Sequence, residues 1–241
     1  MNWLPLSKLK ISSIAQTIAY SDGKIRTKVL YEQLQKIPIP LEDKVKFILM
    51  HWGWDGILHE EALERLREIT LSGFTMPQNV VDLLKQLYGL RIPIKTQDPY
   101  DKYGGTLVFG FLEKWENMVS SSEFLSIKYD DTIMPIGRIL NYNGGTNQLV
   151  SGWENPNYQS TGYERYDLYL GSSDRVYFEF VDGDCVGVKG ESLDAFLGKS
   201  FGLIPFKEDT IEELTCDDMS LIEQIDELYD QGTYKQNYFR K

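Results

Sequence analysis

Cysteine is scarce in this chain, with Cys185 and Cys216 as its only two in 241 residues. Two isolated thiols exclude a disulfide framework and a CxxC metal or redox pair, and they suit a reducing compartment. Histidine is as scarce: His51 and His59 stand eight apart and cannot place two ligands on adjacent turns of one helix. The chain also lacks a GxSxG elbow, a GxxxxGK(S/T) phosphate loop, a GxGxxG turn and an HExxH helix, so no familiar catalytic constellation is present. It has no polybasic run with which to displace counterions from nucleic acid. No stretch approaches the ~20 apolar residues of a membrane span. Met1 to Lys10 lacks the basic, apolar and small-residue order of a secretory signal, and Pro5 interrupts its only apolar run. These absences set the expectation of a cytoplasmic protein that is not an enzyme, holds no cofactor or metal, and touches neither nucleic acid nor membrane.

What is present is acid. The net charge is −11, and the hydrophobic fraction of 42% is enough for a conventional core. Glu208 to Asp230 holds ten of the 36 acidic residues and no Lys or Arg, which leaves 26 acidic against 25 basic residues elsewhere. Nearly all the excess charge therefore sits in this one segment. Ile211, Leu214, Leu221, Ile222, Ile225, Leu228 and Tyr229 recur through it at helical spacing, which predicts a docked or broken helix with one apolar and one charged face. Glu212, Glu213, Asp217, Asp218, Glu223, Asp226, Glu227 and Asp230 are its candidate partner-binding residues, and a basic protein is the partner such a face would steer.

Apolar residues spaced by three and four from Ile11 to Leu71 predict three or four amphipathic helices, with Pro38 and Pro40 bracketing a break. Asp22-Gly23 and Asp55-Gly56, 33 residues apart, each open an apolar stretch. They look like the centre of a calcium loop, but its oxygen-ligand positions hold Ile18, Tyr20 and Val29 in one copy and His51, Gly53 and Ala62 in the other, so ordinary Asp-Gly turns are expected. Pro77 to Leu87 reads as a further helix with Pro77 near its first turn, and Leu112 to Phe124 as a short one with Trp115, Met118 and Val119 inward.

Between and after these, the period falls to two. Thr106 to Phe111, Ile133 to Leu140, Tyr166 to Leu170, Arg175 to Val181 and Cys185 to Val188 predict strands, with a hairpin turn at Asp182-Gly183-Asp184. Ser192 offers an N-cap to a helix whose apolar face is Leu193, Phe196 and Leu197. Cys185, in an apolar strand, reads as a small core residue. The polar segment Asn141 to Gly162 carries or adjoins Trp153, Tyr158 and Tyr163, and those three aromatics are candidate interface anchors. Asp130-Asp131 and Asp217-Asp218 are adjacent carboxylates, but neighbours along a strand point to opposite faces, so neither pair makes an acid–base dyad unaided. The expected fold class is α+β: a helical N-terminal part, then a mixed or largely antiparallel sheet with flanking helices. The expected units are 1–75 helical, 76–206 α+β and 207–241 an acidic helical segment.

From Met76 onward come, in order, the proline-led helix to Tyr88-Gly89, the Gly104-Gly105 turn, and the stretch with Leu112, Glu113 and Trp115. Met134-Pro135-Ile136-Gly137, the paired Leu168-Tyr169-Leu170 and Val176-Tyr177-Phe178, and Ser192 to Leu197 follow. This order of features resembles the SUKH superfamily of cell-wall regulators and toxin-immunity proteins. Tyr88-Gly89 stands where the family usually has Asn-Gly, and Asn141 to Gly162 is an insertion. The N-terminal Asp-Gly echo loosely resembles TerB-like helical modules. The SUKH resemblance implies helices packed to one side of the sheet and a binding protein, here an immunity protein that occludes a cognate bacterial toxin, a basic nuclease being one candidate. Two alternatives are a regulatory scaffold that binds another protein and a hydrolase whose carboxylates converge only in the fold.

Overall fold

The computed structural model describes residues 3–18, 27–94, 105–110, 118–140, 165–180, 185–205 and 210–233. Four helices come first: α1 (Lys8–Thr17), α2 (Thr27–Lys36), α3 (Leu41–His51) and α4 (Glu60–Leu71). The α5 helix (Gln78–Leu87) follows, with Pro77 at its N-cap. The sheet then builds from β1 (Arg91–Pro93), β2 (Thr106–Phe109), β3 (Ile133–Leu140), β4 (Arg165–Gly171), β5 (Val176–Phe180), β6 (Cys185–Gly190) and β7 (Thr210–Glu213). Between strands lie α6 (Val119–Lys128) and α7 (Leu193–Ser200), and α8 (Cys216–Asp230) comes last. The fold is α+β. The seven strands among the described residues all pair antiparallel in chain order, so the sheet they form is a meander. Among the described residues no strand precedes position 75, as the change of period implied.

The Pro-Ile-Gly string in β3 has a local physical cause. Proline cannot donate to a ladder and survives inside a sheet only at an irregularity, and the β3–β4 register shifts between Pro135 and Gly137. Gly137 is required by proximity to β2: a Cβ there would stand 2.1 Å from the Val108 carbonyl oxygen. Ser192 caps α7 as its position suggested, its hydroxyl accepting the Ala195 N–H at 3.2 Å.

Side-chain alternation gives the sheet two buried faces. Met134, Ile136, Ile139, Leu168, Leu170, Val176 and Phe178 share one apolar core with residues of α1 to α5 and α7. Ile133, Tyr169, Tyr177 and Val186 share a second core with Phe124 and Leu125 of α6 and Ile225 of α8. Helices therefore cover both faces, not the one side that the SUKH resemblance implies. The larger core runs without a break from Leu6 to Leu203, across the boundary expected at residue 75.

Two further expectations change. The segment expected as a docked or broken helix over 208–230 begins, within the described residues, as the edge strand β7, and helix starts only at Cys216. β7 can lie close against β6 because Gly187 has no side chain; a Cβ there would stand 1.8 Å from the Thr210 carbonyl oxygen. The helix expected over 112–124 begins, within the described residues, at Val119 and continues to Lys128. Asp182-Gly183-Asp184, Asp22-Gly23, Trp115, Trp153, Tyr158 and Tyr163 lie outside the described residues.

Candidate functional site

The α8 helix is positioned by a capping box. The Thr215 hydroxyl accepts the Asp218 N–H at 3.2 Å, and the Asp218 carboxylate accepts the Thr215 N–H at 2.9 Å, so two orphan donors of the first turn are satisfied. Ile225 is fully buried and Leu221, Ile222, Leu228 and Tyr229 are half-buried, which fixes the inward stripe. The opposite face then carries Asp217, Glu223, Asp226, Glu227 and Asp230, all exposed, with Glu213 of β7 exposed beside them.

Of the eight candidate acids, Glu212 and Asp218 have structural work. Both are half-buried, and Lys128 of α6 reaches them at 3.5 and 3.2 Å. Burial acts to raise the Asp218 pKa, but the Thr215 hydrogen bonds and the Lys128 charge outweigh it and leave the group below its ordinary value. These two residues bind α8 to α6 and the sheet edge, so the surface available to a partner is formed by the other six. The aromatic anchors on 153, 158 and 163 are not among the described residues, and nothing places them beside this face.

The other chemistry-bearing residues are dispersed. His51 ends α3 with its exposed ring edge-on to Trp52 at 5.2 Å, and His59 is the exposed N-cap residue of α4. Cys185 is half-buried rather than a core residue, and Cys216 is exposed. Asp55 forms a turn by accepting the Ile57 N–H at 2.8 Å. Among the described residues no group of three or more His, Cys, Asp or Glu side chains is placed to hold a metal ion. Among them, too, no helix is long and apolar enough to cross a membrane.

Two buried polar groups escaped the sequence reading. Asp130 and Asp131 do not alternate in a strand; they occupy the turn from α6 to β3, where Asp130 takes φ 47° and is exposed while Asp131 is 7% exposed. The Asp131 carboxylate accepts the Thr132 N–H at 2.7 Å, the Ser172 hydroxyl at 2.6 Å, the Tyr177 hydroxyl at 3.1 Å, and the N–H and hydroxyl of Ser173. Burial opposes its charge, but the Ser172, Ser173, Tyr177 and Thr132 hydrogen bonds prevail and lower its pKa. A carboxylate so satisfied is a poor general base; it is a clasp between the α6–β3 and β4–β5 turns.

On the second face, Arg138, Asp167 and Glu179 are cross-strand neighbours on β3, β4 and β5. Arg138 Nε donates to Asp167 at 2.6 Å with both side chains almost fully buried. The Tyr169 hydroxyl donates to Glu179 at 3.0 Å; burial first, then the Glu179 and Asp167 charges, push its pKa well up and keep it a donor. The fold thus brings two carboxylates together, but it binds one to a guanidinium and the other to a phenol. The sequence signal for this row is Arg138 between Gly137 and Ile139 and Asp167 between Tyr166 and Leu168, each a charge among uncharged neighbours at a position facing the core.

The chain matches no family model, no curated protein and no solved structure.

Proposed function

We propose that this chain is a cytoplasmic binding protein, not an enzyme, and that it takes a basic protein partner on the acidic face of α8. The single observation that carries the reading is the separation of charge on that helix. Ile225 and its half-buried neighbours hold it down, the two shielded acids share the single charge of Lys128, and six carboxylates face outward with no cation in the segment. Ten acids in one segment repel one another, and a face serving only solubility would not need the total absence of Lys and Arg. Joined to the SUKH resemblance, this supports an immunity protein that occludes a cognate toxin stoichiometrically.

The test co-expresses the chain with the product of the neighbouring gene. Rescue of growth from a toxic neighbour and a one-to-one complex are expected; a harmless neighbour that forms no complex would sink the immunity reading. Charge reversal at Glu223, Asp226 and Glu227 should slow association and flatten its salt dependence with the fold intact, because exposed charges act over a Debye length of ~8 Å at physiological ionic strength. An unchanged rate and salt slope would leave that face merely solvated.

A further inference from the structure

Among the described residues β7 pairs with β6 alone, so it stands at an edge of the sheet they form. In an antiparallel strand, alternate residues turn their N–H and C=O toward the neighbour and the others turn them away. Among the described residues no hydrogen bond reaches β7 from the side opposite β6. Edges are commonly guarded by lysine, proline or a bulge. β7 has no lysine, proline or bulge, and its guards are its shortness and the charge of two glutamates: it reads Thr210-Ile211-Glu212-Glu213 and keeps an unbroken register with β6. The α8 helix that follows packs on α6 and the second face of the sheet.

What the edge does carry is selective. Glu213 is exposed, as is Asp217 just beyond it. Two copies of this edge would set like charges against each other, whereas a cationic strand would be complementary. Ile211 is 64% exposed, on the same face as Glu213, and its cross-strand neighbour Gly187 offers no side chain to cover it. An apolar group held open on a free edge gives an added strand something to bury.

We propose that β7 is completed by a strand from the partner: an extended segment that sets an apolar residue over Ile211 and a Lys or Arg against Glu213, with its backbone paired to β7. The proposal rests on the reading of α8 as a face for a basic protein and says how that protein is gripped, by backbone at β7 and by charge at α8.

The experiment titrates the full chain with a capped Lys-Thr-Val-Thr-Lys-Thr peptide, whose odd positions present Lys, Val and Lys on one face of a strand. Amide shifts and hydrogen exchange report where it sits. Two further peptides carry N-methyl groups on alternate residues, one set for each edge of the peptide, and a fourth has Glu for Lys. Slowed exchange over 210–213 is expected, with affinity about tenfold weaker for one N-methylated peptide, a loss suited to two missing hydrogen bonds. Ile211→Lys, a substitution at an exposed side chain, should weaken binding by a similar factor and leave the spectrum otherwise folded.

Equal binding by both N-methylated peptides, with shifts confined to α8, would overturn the edge proposal and leave the acidic-face reading standing. Equal binding by the Lys and Glu peptides would overturn the basic-partner reading itself. The proposal is also overturned by no binding of the parent peptide, by β7 amides already protected in the free chain, or by a dimer in sedimentation that protects them.

Discussion

Asp131 accepts hydrogen bonds from Thr132, Ser172, Ser173 and Tyr177, so its donors come from two turns that the fold must close and from the β5 strand between the second of them and β6. Its pKa is depressed in the folded chain, so its contribution to stability is fully present above the ordinary carboxylate range and is lost as pH falls through ~4 toward the folded value. Asp131→Asn, which keeps the shape but halves the acceptors, should cost about 2 kcal/mol at neutral pH, and the gap from the parent should narrow below pH ~4. Urea unfolding at several pH values measures this; a gap that stays constant with pH would refute it. Gly171→Ala should break the same clasp sterically, since a Cβ there would stand 2.0 Å from the Asp131 carboxylate oxygen. None of this was legible in the sequence, because Ser172 and Tyr177 lie 41 and 46 residues from Asp131 and local spacing carries no trace of them. The exposed acids of α8 were legible, since charge that faces water needs no distant partner to be read.

At the scale of elements, the lesson lies in the segment 208–230. Its helical periodicity is real over α8, where Leu221, Ile222 and Ile225 face the second core, but it extends by chance through Ile211, which is the exposed residue of a strand. What separates the two is Thr215 with Asp218 three residues later, a helix-start signature that the sequence itself carries. The strand itself was hidden because it owes its existence to an edge offered by β6 and to the missing side chain of Gly187, and neither is local to it. Thr215→Ala should lower stability by about 1 kcal/mol through loss of the cap, whereas Glu223→Gln on the exposed face should stay within about 0.5 kcal/mol of the parent. Thermal melts of the two variants decide it: equal shifts would mean that the box contributes nothing to docking α8.

For the molecule as a whole, the break in period near residue 75 marks a change of secondary structure and not a division of the core. Tyr31 of α2 shows why. Its hydroxyl donates to the Pro93 carbonyl of β1 at 2.6 Å and accepts the Trp52 Nε1–H at 3.2 Å, while its ring meets Phe201 at 5.5 Å. Burial raises its pKa, so it stays protonated and holds that donor role at neutral pH. One side chain thus ties α2, α3, β1 and the end of α7 together, and Leu6 to Leu203 form one apolar cluster around it. Composition and periodicity could assign α+β but could not show this sharing, because an amphipathic stripe records that a helix is covered and not what covers it. A core shared in this way should unfold once. Calorimetry should give a single transition with equal van't Hoff and calorimetric enthalpies, and Tyr31→Ala, which removes a buried ring and its two hydrogen bonds, should lower that transition by the 3–5 kcal/mol (approximately) typical of large aromatic deletions without splitting it. Two separated transitions, or a Tyr31→Ala variant that loses the helices at a lower temperature than the sheet, would show that the N-terminal helices are a unit apart and that the continuous core is not a cooperative one.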